Sequence, residues 1–174
     1  MRTPLRPSQE TTAACIDGIS LAGFSEPISI GLLRESRCSG VPEIAGIYLI
    51  LRESNCAPEF LKKSTGGAFK KRDASCLPEF VRNNWVRGAQ VMYVGKAAGR
   101  KGLRQRLNDL ITFGYGKAVG HWGGRLLWHL PEKEKLLVRW RTCSAEEAAD
   151  AETKTIGRFK ATNGGRRPYA NLRK

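Results

Sequence analysis

Two short runs of apolar, β-branched and aromatic residues constrain this chain most. Ile44 to Leu51 (Ile-Ala-Gly-Ile-Tyr-Leu-Ile-Leu) lies between Pro42 and the polar stretch Arg52-Glu53-Ser54-Asn55, and Ala89 to Gly95 (Ala-Gln-Val-Met-Tyr-Val-Gly) has the same character. Runs of that length and composition, bounded by turn formers, predict buried strands rather than helices. Leu136 to Thr142 alternates and predicts a third strand. Helical patterns follow the second and the third. Leu103, Leu107, Leu110 and Ile111 form one stripe over Gly102 to Thr112, closed by Gly114. Ser144 and Glu147 have capping-box spacing at the head of a helix that runs to about Lys160. With 174 residues, about one domain's worth, the chain can bury one sizeable core.

The other segments are less regular. Residues 1 to 40, rich in Ser, Thr, Gly and Pro, read as an N-terminal arm with one strand around Ile28 to Leu33, and residues 41 to 174 as the domain proper. Residues 52 to 88 separate the first two core strands as an insertion. Within it Pro58-Glu59-Phe60-Leu61-Lys62 and Pro78-Glu79-Phe80-Val81-Arg82 each open with a helix-initiating proline, which predicts two short helices around a flexible loop that includes Ser64-Thr65-Gly66-Gly67. Residues 113 to 124 hold five glycines and read as loop, and Arg125 to Leu130 is ambiguous between helix and strand. Gly164-Gly165-Arg166-Arg167-Pro168-Tyr169-Ala170-Asn171 reads as a turn that returns the chain to the body.

The formal charge is +14, from 30 Lys and Arg against 16 Asp and Glu. The excess is segregated. Residues 61 to 106 carry twelve basic residues against Asp73 and Glu79, and residues 152 to 174 carry seven against Glu152. A field of that kind attracts polyanions, and nucleic acid is the expected partner. The candidate phosphate contacts are Lys62, Lys63, Lys70, Lys71, Arg72, Arg100, Lys101, Arg104, Arg158, Lys160, Arg166 and Arg167.

No run approaches the roughly 18 apolar residues of a membrane span, and Met1 to Pro7 lacks the apolar segment of a signal peptide. Five cysteines at wide intervals, with no Cys-x-x-Cys pair, fit reduced thiols. The expectation is therefore a soluble intracellular protein that binds no membrane. His121 and His129 are eight apart, which is not metal-ligand spacing on one helix face.

Two charged residues stand out of pattern. Ala148, Ile156 and Phe159 mark an apolar stripe that passes through Glu152, and Leu103, Leu107 and Leu110 flank Arg106. A carboxylate facing the core needs a cation, since burying it unpaired costs several kcal/mol. A divalent metal at the mouth of a cleft is one such cation; a buried Arg106–Glu152 salt bridge is the alternative.

Gly46-Ile47-Tyr48 on one strand and Tyr93-Val94-Gly95 on the next, followed by Lys96 and a helix with Arg106 three residues after Leu103, resemble the GIY-YIG nuclease superfamily. The resemblance continues with Glu152 four residues before Ile156 on a later helix and with the turn Pro168-Tyr169-Ala170-Asn171, so it covers residues 46 to 171. In this chain the insertion separates the two tyrosine motifs, and Leu110 stands where some family enzymes carry a histidine; His121 is another candidate for the cleft.

The resemblance implies an α/β fold of α+β type, a small antiparallel sheet of about three strands with helices packed on its faces, and a phosphodiester in DNA as substrate. Tyr48, Tyr93, Lys96, Arg106 and Glu152 would converge at one end. Glu152 would hold one Mg²⁺ or Mn²⁺ that stabilises the leaving 3′ oxygen, and Arg106 would neutralise charge on the phosphoryl oxygens. Tyr48 would act as general base with help from Lys96, Tyr93 would position water or phosphate, and Asn171 would brace the site. No small-molecule cofactor is implied. The rival readings are a non-catalytic nucleic-acid-binding module on the same scaffold, and a structural protein in which Arg106 and Glu152 only pair.

Overall fold

The structure, a computed structural model, describes residues 14–54 and 56–172. It opens on a hairpin of β1 (Cys15–Ile16) and β2 (Ile19–Ser20). Asp17 and Gly18 turn it with φ of 50° and 77°, the left-handed geometry that an Asp-Gly pair accommodates. The Asp17 carboxylate accepts hydrogen bonds from the backbone of Gln90 (2.8 Å) and Val91 (2.7 Å), and its carbonyl accepts one from the Thr162 hydroxyl. The segment expected as an irregular arm is therefore, from residue 14 onward, fastened to the body; residues 1–13 of that expectation lie outside the described residues.

The expected strand at Ile28 to Leu33 divides. β3 (Ile28–Ser29) is followed at once by α1 (Ile30–Glu35), because the Ser29 hydroxyl accepts the Leu32 N–H at 3.2 Å and caps a helix there. β4 (Gly46–Leu51), β5 (Val91–Ala97) and β6 (Leu137–Thr142) supply the longer strands, and the antiparallel sheet has the order β3–β6–β4–β5. It thus carries four strands, the fourth being the two-residue edge β3, where about three were expected. β4 is buried along its whole length because it lies between β5 and β6 and is covered on both faces.

Between β4 and β5 only the second proline begins a helix, α2 (Pro78–Asn84). The first is irregular because its backbone is used elsewhere: Leu61 N–H donates to the His129 carbonyl at 2.9 Å. His129 returns the contact, its Nδ1 lying 2.8 Å from the Leu61 carbonyl while Nε2 accepts from Cys76 N–H at 3.1 Å. The loop expected to be flexible is docked too. Ser64 is buried, the Thr65 hydroxyl donates to the Gly114 carbonyl at 3.0 Å, and Gly67 N–H donates to Phe113 at 2.7 Å.

α3 (Gly102–Gly114) follows β5, 3₁₀ turns at Arg125–His129 and Lys133–Lys135 follow α3, and α4 (Ala148–Thr162) closes the fold. Ser144 and Glu147 make the expected reciprocal capping pair, at 3.0 and 3.2 Å, over the turn that leads into α4. One core layer packs Tyr48, Ile50 and Tyr93 against Leu103, Leu107 and Leu110 of α3; the other packs Leu49, Val91 and Val94 against Phe159 of α4. No helix among the described residues is long and apolar enough to cross a membrane, and Cys38, Cys56, Cys76 and Cys143 are free thiols.

Candidate active site

The two tyrosine motifs become neighbours because β4 and β5 pair in a register that sets Tyr48 opposite Gly95 and Ile50 opposite Tyr93. Both motif glycines are demanded by packing. A Cβ on Gly95 would lie 2.5 Å from the Tyr48 hydroxyl oxygen, and one on Gly46 would meet Leu103 Cδ1 at 2.9 Å and the Arg141 carbonyl more closely still. The Tyr48 and Tyr93 rings stand 6.0 Å apart, tilted by 52°.

Tyr48 is 0% exposed, and its hydroxyl has no hydrogen-bond partner of good geometry among the described residues. Burial, and then the neighbouring Tyr93, hold its pKa well above the usual phenol range; the Arg106 guanidinium pulls the other way. Tyr93 is 7% exposed, and burial raises its pKa with Arg106 again opposing. The cation that acts on both phenols is thus Arg106. Lys96, expected to serve Tyr48, reaches instead to Glu152, Nζ to Oε2 at 3.2 Å.

That pair also revises the expectation for Glu152. Its side chain keeps 22% of its exposure, at the rim of the core rather than within it, and its ion-pair partner is Lys96 on β5, not Arg106 on α3. The pair opens onto a cleft of about 1080 Å³ along the outer edge of β5, lined by Tyr93, Lys96, Glu152 and Asn171 among others. Tyr48 lies behind this wall, and Arg106, half-buried and not lining the cleft, acts on both phenols. Asn171 braces the wall: its side chain accepts from Val94 N–H at 2.8 Å and donates to the Val94 carbonyl at 2.7 Å, continuing the ladder on the free edge of β5. His121 does not reach the cleft. It is fully buried, neither ring nitrogen has a partner among the described residues, and burial, with the Arg106 charge adding to it, pushes its pKa down to about 3.

The candidate phosphate contacts separate into groups. Lys160 and Arg167 line the cleft. Arg158 faces the other side of α4, in a smaller cavity with Arg141 and Lys154. Arg104 is engaged with the Val41 carbonyl and Glu43, both at 2.7 Å, and Arg166 with the Asn83 carbonyl at 2.5 Å. Lys62, Lys63, Lys70, Lys71, Arg72, Arg100 and Lys101 are exposed outside the cleft. Lys70 and Lys71 form the tip of a tight turn closed by Phe69 and Arg72, with φ of 49° and 62°, so two lysines hold a left-handed conformation that costs them about 1–2 kcal/mol each. Phe69 stacks on Trp122 at 6.0 Å, which ties this basic tip to the cleft wall.

Sequence reasoning overlooked Trp122 and Arg125, which also line the cleft, the guanidinium 4.9 Å from the indole ring. The signal was present as an aromatic and an arginine framing Gly123-Gly124 in an otherwise glycine-rich loop. Thr153 and Gly157 on α4 were overlooked as well.

The chain is therefore a mixed α/β protein with a Lys–Glu ion pair at the β5 edge of its sheet and two buried tyrosines on the adjacent strands β4 and β5. Comparison with protein-family models, with curated proteins and with solved structures found no match.

Proposed function

We propose that this protein is a metal-dependent endonuclease of the GIY-YIG type, its domain interrupted by an insertion between the first two core strands, and that it hydrolyses phosphodiester bonds in DNA. The observation that carries the reading is the meeting of Tyr93, Lys96 and Glu152 on one cleft, with the Tyr48 ring packed behind Tyr93 and the Arg106 charge acting on both phenols.

Glu152 is the one carboxylate among the described cleft residues, and among the described residues no group of three or more His, Cys, Asp or Glu is arranged to hold a metal ion by itself. That donor set fits a hard divalent ion, which commonly takes one carboxylate and fills its remaining positions with water and substrate phosphate oxygens. Glu152 would hold it, and Lys96 would release the carboxylate to do so. When bound, Mg²⁺ or Mn²⁺ supplies charge stabilisation at the leaving 3′ oxygen.

The chain's own groups do the rest. Tyr93 is the phenol on the cleft surface, so contact with the attacking water falls to it. Tyr48, sealed behind it, packs against the Tyr93 ring; to act as the expected base it would have to be ionised first, which its burial opposes and the Arg106 charge favours. Arg106 favours the ionised form of both phenols and offsets part of the cost of burying negative charge there. Lys96, freed from Glu152, and the cleft cations Lys160, Arg167 and Arg125 attract and orient the phosphate backbone.

A second reading, a non-catalytic basic module, is favoured by one observation: Glu152 already has its charge partner in Lys96. Cleavage assays separate the two. Glu152→Gln and Arg106→Ala are expected to lose turnover by about a hundredfold or more while binding DNA as the wild type does. A wild type that cuts no duplex, branched or single-stranded DNA with Mg²⁺ or Mn²⁺ would establish the module instead.

A further inference from the structure

Lys70 and Lys71, with φ of 49° and 62°, form the tip of a two-residue turn whose flanks, Phe69 and Arg72, exchange backbone hydrogen bonds of 2.9 Å in both directions. Such a turn calls for Asn-Gly or another pair at ease with positive φ, and lysine is uncommon there. Nothing inside the fold rewards the two lysines for holding it. Both are exposed, neither forms an ion pair among the described residues, and the Lys70 ammonium rests only 5.5 Å from the centre of the Phe69 ring. The next carboxylate along the chain, Asp73, accepts from the Ser75 N–H at 2.6 Å and faces Lys63.

The turn is strained, and it is also fastened. On its first leg Gly67 N–H donates to the Phe113 carbonyl at 2.7 Å and Phe69 stacks on Trp122, a residue of the cleft wall. On its second leg Ala74 is fully buried and the Ser75 hydroxyl accepts the Ser64 N–H at 3.0 Å. The exposed cations Lys70, Lys71 and Arg72 are therefore carried in succession at a fixed place beside the cleft. Strain kept at exposed residues that gain nothing within the chain points to a contact outside it, and three successive cations make that contact a polyanion. Fixed cations gain over mobile ones chiefly against charges that are themselves fixed. Phosphates of a duplex are held at regular spacing, whereas a single strand bends to meet cations wherever they stand.

We propose that the Lys70–Lys71 turn is a preorganised finger that grips backbone phosphates of double-stranded DNA beside the cleft, and that the substrate is accordingly a duplex. The finger deepens the nuclease reading and rests on it for the identity of the polyanion. Lys62 and Lys63, exposed on the same insertion but outside the turn, take no part in the grip.

Anisotropy titrations of a labelled duplex and of one of its separate strands, in EDTA and at several salt concentrations, test this without turnover. Lys70→Asn combined with Lys71→Gly installs the pair that the turn prefers. That variant is expected to raise the thermal midpoint by about 1–4 °C, to weaken duplex binding by about tenfold, and to flatten the salt slope by about two units, for two lost phosphate contacts. Lys62→Gln combined with Lys63→Gln removes the same charge and is expected to change duplex affinity by less than about threefold. Phe69→Ala keeps every charge but frees the turn from Trp122, and is expected to weaken duplex binding by about three- to tenfold while single-strand binding changes by less than about twofold. If the wild type cuts no DNA while these duplex losses appear, the nuclease reading fails and the finger stands. An Asn-Gly variant that binds the duplex as tightly as wild type, or that loses no more than the Lys62 and Lys63 variant, would overturn the finger whether or not the protein cleaves. Equal losses on duplex and single strand in Phe69→Ala would overturn it as well.

Discussion

The Lys96 ammonium stands 3.2 Å from the Glu152 carboxylate, so the two charges that β5 and α4 bring to the cleft neutralise one another. A divalent ion and Lys96 therefore compete for the same oxygens. Because Lys96 keeps 40% of its side-chain exposure, the competition is worth no more than an exposed ion pair, and Lys96→Met is expected to tighten Mn²⁺ binding by about 1.5- to 5-fold in calorimetric titration. Mn²⁺ binding that Glu152→Gln leaves unchanged would mean that the carboxylate is not the ion's ligand.

The contact between Gly95 and Tyr48 makes a prediction about packing. Gly95→Ala drives a methyl group into the Tyr48 ring, an overpacking expected to cost about 1–3 kcal/mol and to lower the thermal midpoint by about 2–10 °C. Tyr48→Phe is expected to leave stability unchanged or higher, because the hydroxyl it removes is buried without a good partner. Calorimetric scans of the two variants check both signs.

Much of the fold was legible because its signals are local. The apolar runs at Ile44 to Leu51 and Ala89 to Gly95, the leucine stripe on α3 and the Ser144–Glu147 cap each specify their element within a few residues. What was not legible depends on partners far along the chain. Pro58 and Pro78 open nearly identical stretches, yet only Pro78 starts a helix, because Leu61 is claimed by His129, sixty-eight positions away. Likewise the stripe through Glu152 shows that a carboxylate sits at an apolar face, but not that Lys96, on another element, would meet it. The two basic stretches were visible as composition; that Arg104 and Arg166 are already engaged, and Lys160 and Arg167 are not, is a matter of tertiary contact.

Acid stability carries the signature of His121. Its pKa falls from 6.5 to about 3 on folding, so between those values the unfolded chain binds the extra proton, and the stability present above pH 6.5 is lost as pH drops toward 3. Arg106 is the cation that faces it. His121→Phe is expected to flatten the stability–pH curve in that window by up to about 1.36 kcal/mol per pH unit relative to wild type, read from urea unfolding at successive pH values. Parallel curves would place the imidazole in contact with solvent.

Asn171 holds the edge of β5 through one acceptor and one donor. Asn171→Asp keeps the acceptor for Val94 N–H and sets a carboxylate against the Val94 carbonyl, so it is expected to cost about 1–3 kcal/mol, as is Asn171→Ala. Hydrogen exchange at Val94 is expected to accelerate in the alanine variant and serves as the local readout.

The insertion's charge is separable from the chemistry. Each phosphate contact contributes a slope of about −0.9 in log affinity against log salt for duplex DNA. Replacing Lys62, Lys63, Lys70, Lys71 and Arg72 by Ser or Gln is expected to flatten that slope by several units if all five touch phosphate, while cleavage at saturating DNA persists. An unchanged slope would transfer the binding role to Lys160, Arg167 and Arg125 in the cleft.

Whether this cleft breaks a phosphodiester bond is decided by single-turnover cleavage of end-labelled DNA with the products resolved by mass. Products with 5′-phosphate and 3′-hydroxyl ends are expected to appear with Mg²⁺ or Mn²⁺, to vanish with EDTA, and to be lost in Glu152→Gln under conditions where that variant still binds the DNA. Intact substrate in every arm with wild-type protein, or cleavage that Glu152→Gln leaves untouched, would contradict the nuclease reading.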